Sequence, residues 1–120
     1  MKTAIIVLGH GSRHQESEEP FAILSAAVKA ASGFEIVEHA FLQYSGPTID
    51  AAVGSCLKQG SVKIIIVPFF LQSGAHVTKD IPDLLAKLRQ RYPDILFTVT
   101  DYVGAHPVMA TIVADLAKKC

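Results

Sequence analysis

The feature that most constrains the fold is a regular alternation of short β-rich runs with segments of helical periodicity. The clearest runs are 4–8 and 62–70, which are apolar and rich in valine and isoleucine. They lack the alternation expected of a strand with one solvated face, so each is predicted to be a strand buried on both faces. Two further strands are predicted at 35–42 and 95–100. Because strands that alternate with helices form parallel sheets, the chain is predicted to be α/β.

Four helices are predicted between and after these strands. Acidic residues and Pro20 open the first, which ends before Gly33, and residues 45–47 open the second. Asp80 is the predicted cap of the third helix, and Pro107 starts the last. The order β-α-β-α-β-α-β-α predicts a four-stranded parallel sheet with strand order 2-1-3-4 and helices on both faces. A length of 120 residues suits a single domain spanning 1–120.

The charge and cysteine content narrows the class of partner. Eleven basic and eleven acidic residues give a formal net charge of zero, which argues against binding to nucleic acid or an anionic membrane. No segment is long enough to span a bilayer, and the apolar run at 4–8 is too short for a signal peptide. Cys56 and Cys120 form no spaced motif, which favours a reducing cytoplasm over a disulfide framework.

Two histidines follow strands that should lie side by side. With strand order 2-1-3-4, the topological switch falls between the first and third strands, and ligands bind beyond the carboxyl ends of strands at such a point. The sequence GHGSRH, with His10, follows the first strand, and QSGAHVTKD, with His76, follows the third. Glycines in both segments permit tight turns and close approach of a ligand. His10 and His76 are therefore predicted to form a functional pair.

The chemistry of two imidazoles suits the transfer of a metal ion. Imidazole binds cobalt, nickel, iron and zinc, and it accepts protons near neutral pH. Two ligands fall short of the four that close a structural zinc site, so the pair favours a site that takes up a metal and releases it. The other histidines have ordinary interpretations: His39 packs within a strand or lies at the surface, and His14 and His106 cap helices or are solvated.

At this point the sequence resembles the small form of the sirohydrochlorin cobaltochelatases, within the class II chelatases that include related nickel and iron enzymes. The blocks LGHGSR and PFFL-x-x-G-x-H carry the resemblance together, and either alone would be weak. Further matches are AFLQ with PTI, and DIP at the start of the third helix. They extend from the first strand to the start of the last helix.

The resemblance implies a cytoplasmic lyase of tetrapyrrole, including cobalamin, biosynthesis. Its substrates would be sirohydrochlorin or a close relative and a divalent metal, Co²⁺ first, with Ni²⁺ or Fe²⁺ as the other possibilities, and it would have no prosthetic group. His10 and His76 would bind metal and accept protons. Since longer members look like two such units fused, it implies a homodimer. The expected substrate-binding residues are Gly11, Ser12, Arg13, Gln43, Ser73, Gly74, Ala75 and Lys79.

One position departs from the family pattern and keeps an alternative open. Family members commonly have glutamate where this chain has Gln43, and an amide is neither a charged ligand nor a general base at neutral pH. This favours, as the alternative, a non-enzymatic carrier of metal or tetrapyrrole with the same fold. A histidine phosphatase is a remote possibility, because Gly9 stands where such enzymes need an arginine before the histidine.

Overall fold

The computed structural model follows the predicted alternation of strands and helices. It describes residues 2–11, 18–43, 46–74 and 76–120, while the side chains of residues 18, 76 and 77 lie outside what it describes. Within these ranges, none of the helices has the length and hydropathy needed to cross a lipid bilayer. The strands are β1 (Lys2–Gly9), β2 (Ile36–Phe41), β3 (Ser61–Pro68) and β4 (Leu96–Val99), and the helices are α1 (Glu18–Ser32), α2 (Ile49–Lys58), α3 (Ile81–Arg91) and α4 (Val108–Lys118).

The sheet confirms the predicted topology. All strand pairs are parallel and the order is β2-β1-β3-β4. Leu8 pairs with Ala40 on one side and with Pro68 on the other, so the three strands end at nearly the same level. The segments that follow β1, β2 and β3 consequently meet at one edge of the sheet.

One face of the sheet holds most of the core. Five side chains on this face are at most 1 % exposed and belong to a cluster with Cys56 of α2 and Leu88 of α3: Ala4, Ile6 and Leu8 of β1, and Ile64 and Ile66 of β3. Burying each of the isoleucine and leucine side chains stabilises the fold by about 1.5–3 kcal/mol. This packing anchors α2 and α3 firmly to the strands whose ends carry the predicted site.

The opposite face is covered unevenly. Over β1, α1 packs so closely that a Cβ at Gly9 would lie 2.7 Å from the Phe21 ring. Over β3, the half-buried Val67 faces a cavity of about 430 Å³, whose other wall includes Val108 and Ile112 of α4. The last helix therefore stands partly off the sheet.

One predicted helix start and one predicted cap are wrong, each for a local reason, whereas α3 begins directly after Asp80 as predicted. The second helix begins at Ile49 rather than at 45–47, because Phe41 N–H donates to the Pro47 carbonyl (3.0 Å) and holds Pro47 against the strand edge. Thr48 caps it by accepting from Ala51 N–H (3.2 Å). Asp80 does not cap α3: a π-helical turn (His76–Asp80) already precedes the helix, and Asp80 has helical dihedrals of φ −67° and ψ −37°.

Candidate functional site

The site begins where β1 ends. His10 directly follows the strand, and the chain turns at Gly11, whose φ is +94°. A Cβ at Gly11 would lie 1.7 Å from the carbonyl oxygen of Gln43, closer than any real contact. Glycine is thus required at position 11 both by the backbone conformation and by the approach of the neighbouring segment.

Backbone hydrogen bonds hold residue 43 beside residue 10. Leu42 N–H donates to the Gly9 carbonyl (2.9 Å), and Gln43 N–H donates to the His10 carbonyl (3.2 Å). Strand pairing between β1 and β2 therefore continues two residues past the end of β2. This places the Gln43 side chain at the carboxyl end of the sheet, next to the histidine.

Hydrogen-bond contacts to Gly11 and Gln43 indicate the tautomer of the His10 imidazole. Nδ1 lies 3.0 Å from the Gly11 carbonyl oxygen, and Nε2 lies 3.1 Å from Nε2 of Gln43. A carbonyl only accepts, so the hydrogen-bond network assigns the proton to Nδ1, and the Gln43 amide donates to the lone pair on His10 Nε2. A neutral ring with a lone pair at Nε2 is the form that binds a metal ion or accepts a proton.

Phe70 supplies an apolar wall beside His10. The two rings meet edge to face, with centroids 6.5 Å apart and an interplanar angle of 77°. Residues 103–105 hold the loop that carries Phe70, because Gly104 N–H donates to the Phe70 carbonyl (2.9 Å). The two backbones are so close that a Cβ at Gly104 would lie 1.8 Å from the Leu71 carbonyl oxygen, so only glycine fits there. Phe69 and Leu71, which flank Phe70, are 36 % and 64 % exposed.

The segment after β3 forms a short structured connection to α3. Ser73 and Gly74 are exposed, and the Gly74 carbonyl accepts two hydrogen bonds of 2.9 Å, from Thr78 N–H and from Thr78 Oγ1. These bonds close the chain onto the π-helical turn that begins at His76 and carries exposed Lys79. Short π-helical turns are frequent at functional sites.

The structure places only some of the predicted site residues. His10, Gly11 and Gln43 are brought together by the contacts above, whereas Ser73, Gly74 and Lys79 lie on the neighbouring connection. Ser12, Arg13 and Ala75 lie outside the described residues, as does the side chain of His76. The approach of His76 to His10 therefore stays a prediction.

The remaining described histidines have structural partners, in agreement with the expectations from the sequence. His39 packs between Phe21 and Phe41, at ring distances of 6.2 and 5.9 Å. His106 Nδ1 accepts a hydrogen bond from Val108 N–H (3.1 Å) and so caps the start of α4. His14 lies outside the described residues.

Sequence reasoning missed an acidic groove beside Gln43. Asp80, Asp83 and Lys87 line a groove of about 280 Å³ together with Gln43, Leu42 and Leu84. The sequence offered one signal for this groove: Asp80 is only four residues after His76, in the same connection between β3 and α3. The carboxylates give this flank of Gln43 a polar wall. In the described part of the chain, however, no three His, Cys, Asp or Glu side chains meet as a metal cluster.

Comparison with known proteins identifies the family. The family model CbiX matches residues 4–120. The chain belongs to the CbiX family. This confirms the resemblance to the class II chelatases noted from the two histidine-containing blocks.

Curated relatives of this CbiX family member include both iron and cobalt enzymes. The chloroplastic sirohydrochlorin ferrochelatase of Arabidopsis thaliana is 33% identical over 116 residues, which cover 97% of this chain and 52% of that one. The sirohydrochlorin cobaltochelatase of Methanocaldococcus jannaschii is 42% identical over 89 residues, covering 74% of this chain and 62% of that one. The chain thus spans about half to three fifths of the length of these relatives.

Solved structures confirm the fold. The sirohydrochlorin chelatase SirB from Bacillus subtilis subspecies spizizenii, in complex with cobalt, matches with a TM-score of 0.88 and 33% identity, over 99% of this chain and 51% of that one. A CbiX protein from Marinobacter aquaeolei VT8 matches with a TM-score of 0.85 and 26% identity, over 98% of this chain and 95% of that one. Members of this fold therefore occur as one unit and as chains about twice as long.

Proposed function

We propose that this chain inserts a divalent metal into sirohydrochlorin or a related tetrapyrrole, with Co²⁺ as the first candidate and Ni²⁺ or Fe²⁺ as the others. The observation that carries the proposal is the state of His10. Its Nδ1–H is held by the Gly11 carbonyl at 3.0 Å, which leaves the Nε2 lone pair toward the Gln43 amide at the carboxyl end of the sheet. The chelatase names of the relatives supply the substrate class.

Insertion exchanges two protons for one cation. The metal sheds water and binds the ring nitrogens, and two pyrrole N–H protons leave, so the charge of the complex is conserved. The His10 Nε2 lone pair can hold the metal and, once the metal has passed to the macrocycle, accept one of these protons. One lone pair cannot do both at once. A second base is needed, and His76 is the proposed one.

Gln43 regulates access to that lone pair. Its amide NH₂ donates to His10 Nε2, so an incoming metal has to displace this hydrogen bond. Rotation of the amide about its last bond would present Oε1 instead, a neutral oxygen suited to a weak ligand or to a metal-bound water. Such a site binds a cation loosely, as a transfer step requires.

The peripheral carboxylates of the macrocycle would be held by residues around the two turns. The proposed group combines backbone N–H donors, two hydroxyls and two cations: Gly11, Ser12, Arg13, Ser73, Gly74, Ala75 and Lys79. The exposed side chains of Phe69 and Leu71 offer apolar contact to the ring.

An anaerobic insertion assay tests the proposal. Purified protein is mixed with sirohydrochlorin and Co²⁺, Ni²⁺ or Fe²⁺ in turn, and the rate is read from the visible absorption of the macrocycle. His10→Ala and His76→Ala should each lose most of the protein-dependent rate while circular dichroism stays unchanged. His39→Ala, which removes an imidazole from the same sheet, should retain insertion. Normal turnover by His76→Ala would contradict its role as the second base.

A metal or tetrapyrrole carrier is the second candidate, and one observation favours it. The amide of Gln43 donates to the metal-binding atom of His10 and carries no negative charge to attract a cation. A carrier would bind cobalt or sirohydrochlorin without raising the insertion rate above the spontaneous one. The same assay separates the two candidates.

The proposal includes a cytoplasmic homodimer. The chain spans 51% of SirB and 52% of the Arabidopsis relative, so a second copy would bring the assembly to their size. A pair of copies would also offer a flat macrocycle a cleft rather than one shallow edge of a sheet.

A further inference from the structure

The connections that leave the carboxyl edge of the sheet contact one another in the same order as the strands. His10 follows the central strand β1, and it meets Gln43 from the end of β2 and Phe70 from the end of β3. Beyond Phe70, Gly104 follows β4 and donates its N–H to the Phe70 carbonyl (2.9 Å). These four residues form a row of contacts across the edge, called the edge row below.

The Phe70 ring is held by the body of the protein. Phe69 N–H donates to the Leu8 carbonyl (2.8 Å), so the pairing of β3 with β1 continues up to the residue before Phe70. The half-buried Phe70 ring packs against the core cluster, on the face of the sheet that α2 and α3 cover. The ring therefore meets the His10 imidazole from a fixed support.

Gly104 is required by the closeness of two backbones and not by its own conformation. Its φ lies outside the left-handed region, so alanine could adopt the same backbone. A Cβ at this position would nevertheless lie 1.8 Å from the Leu71 carbonyl oxygen, 2.4 Å from the carbonyl carbon and 2.7 Å from Cα. Because all three are backbone atoms, no rotation of a side chain relieves the clash. An added methyl group has to separate the turn after β4 from the loop that carries Phe70.

The imidazole of His10 needs such a support when a metal arrives. The Gly11 carbonyl holds Nδ1, but the hydrogen bond from Gln43 to Nε2 is the one that the metal has to displace. The edge-to-face contact with Phe70, at 6.5 Å and 77°, restricts rotation of the ring about its Cβ–Cγ bond after that hydrogen bond is gone. The Nε2 lone pair is then directed to the same point throughout metal uptake.

We propose that Phe70 and Gly104 are positioning residues: Phe70 holds the His10 imidazole in its metal-accepting orientation, and the turn after β4 holds Phe70 through Gly104. The proposal rests on the proposed function in taking His10 as the metal-binding residue. It assigns neither residue a contact with the metal. A displacement of a catalytic group by about 1 Å can lower a rate about 100-fold, so a support two contacts away from the metal matters for insertion.

Nitrogen-15 NMR of the imidazole side chains reads the state of His10 without any activity. At a pH where the ring is neutral, wild type should show His10 mostly as the Nδ1–H tautomer, because the Gly11 carbonyl accepts that proton. Phe70→Leu keeps an apolar side chain but removes the ring, and Gly104→Ala separates the two backbones. Each variant should lower the Nδ1–H fraction, since a rotated imidazole in water exchanges between both tautomers.

Titration calorimetry with Co²⁺ measures the consequence for the metal. Phe70→Leu and Gly104→Ala should each raise the cobalt Kd at least about threefold, in line with the size of an edge-to-face ring contact. Because Gly104 acts through Phe70, adding Gly104→Ala to Phe70→Leu should raise the Kd less than about twofold further. A merely structural role for the two residues would move neither the tautomer nor this coupling.

Two matched variants control for the loss of a ring and for the added methyl group. Tyr92→Leu removes one ring of the Tyr92–Phe97 pair, 6.2 Å apart, at the end of α3. Gly54→Ala adds a methyl group within α2, where no atom lies within 4 Å of the new Cβ. Both should leave the His10 tautomer and the cobalt Kd unchanged, and circular dichroism verifies the fold of every variant.

The outcomes separate the positioning role from the proposed function. The NMR signal reports the ring even if wild type inserts no metal, and that result would count against the function alone. A folded Phe70→Leu or Gly104→Ala variant with the wild-type tautomer and Kd would overturn the positioning role, as would fully additive losses in the double variant. If one variant does not fold, the other decides. Unfolding of both would show that the edge row supports the fold rather than the ring, and it would also overturn the proposal.

Discussion

Replacement of Gln43 by glutamate changes one atom at the centre of the candidate site. In the wild-type protein the amide donates to His10 Nε2 at 3.1 Å, while Nδ1–H is held by the Gly11 carbonyl. An ionised carboxylate at position 43 has no proton to donate, so the hydrogen bond from residue 43 to the Nε2 lone pair is lost. The substitution therefore removes a competitor for the metal and adds a negative charge beside it.

Both effects tighten cobalt binding. A neutral hydrogen bond of this kind contributes about 0.5–1.5 kcal/mol, which the metal no longer has to displace. Opposite unit charges about 4 Å apart attract by about 1 kcal/mol in water and about 4 kcal/mol near a protein surface. The Gln43 side chain is exposed, so the lower part of that range applies. A gain of at least 1.4 kcal/mol, or tenfold in Kd, is expected.

Titration calorimetry with Co²⁺ on the wild type and Gln43→Glu measures this gain. Gln90→Glu, an exposed glutamine at the far end of α3, adds the same charge away from the site and should leave the Kd unchanged. Insertion need not accelerate, because a metal that is bound more tightly is released to the macrocycle more slowly. Equal cobalt affinities for Gln43→Glu and Gln90→Glu would refute the placement of position 43 within reach of the metal.

Two further predictions concern the scaffold of the site and its core. Gly11→Ala should lower the free energy of unfolding by at least about 1–2 kcal/mol because of the positive φ, and it should weaken cobalt binding by pushing Gln43 away. Gly33 also has a positive φ, +75°, but no atom lies within 4 Å of an added Cβ, so Gly33→Ala should lose stability and keep its cobalt affinity. Equal loss of cobalt affinity in the two variants would contradict the close approach of Gln43 to Gly11. Burial, with a smaller contribution from Glu38, raises the pKa of the Cys56 thiol from near 9 to about 12; because the thiol ionises more readily in the unfolded chain, its contribution to stability should be complete below pH 9 and disappear as pH rises from 9 toward 12. The free energy of unfolding, measured with denaturant between pH 7 and 11, should decline more steeply with pH for wild type than for Cys56→Ala. Parallel pH dependences of the two proteins would contradict a contribution from the buried thiol.

The strands and their order could be predicted from the sequence because burial on both faces leaves a local signature. The runs at 4–8 and 62–70 became β1 and β3, each within two residues of the predicted ends. Helix starts were harder to predict. Residues 45–47 were expected to open a helix, but Phe41 N–H donates to the Pro47 carbonyl and holds Pro47 at the sheet edge, so the helix begins only after Thr48. The position of that edge depends on the pairing of β2 with β1, which helical periodicity does not encode.

The sequence by itself determined the α/β class, the 2-1-3-4 sheet and the position of His10 just beyond a buried strand, since each follows from periodicity and from the rules that govern parallel sheets. Only the tertiary structure decided which atom of His10 carries the proton, because that depends on the Gly11 carbonyl and on an amide 33 residues away. It alone also showed that the apolar side of α4 remains in solvent. Periodicity predicts that a helix has an apolar stripe, but whether that stripe is buried depends on distances between elements that no local pattern encodes.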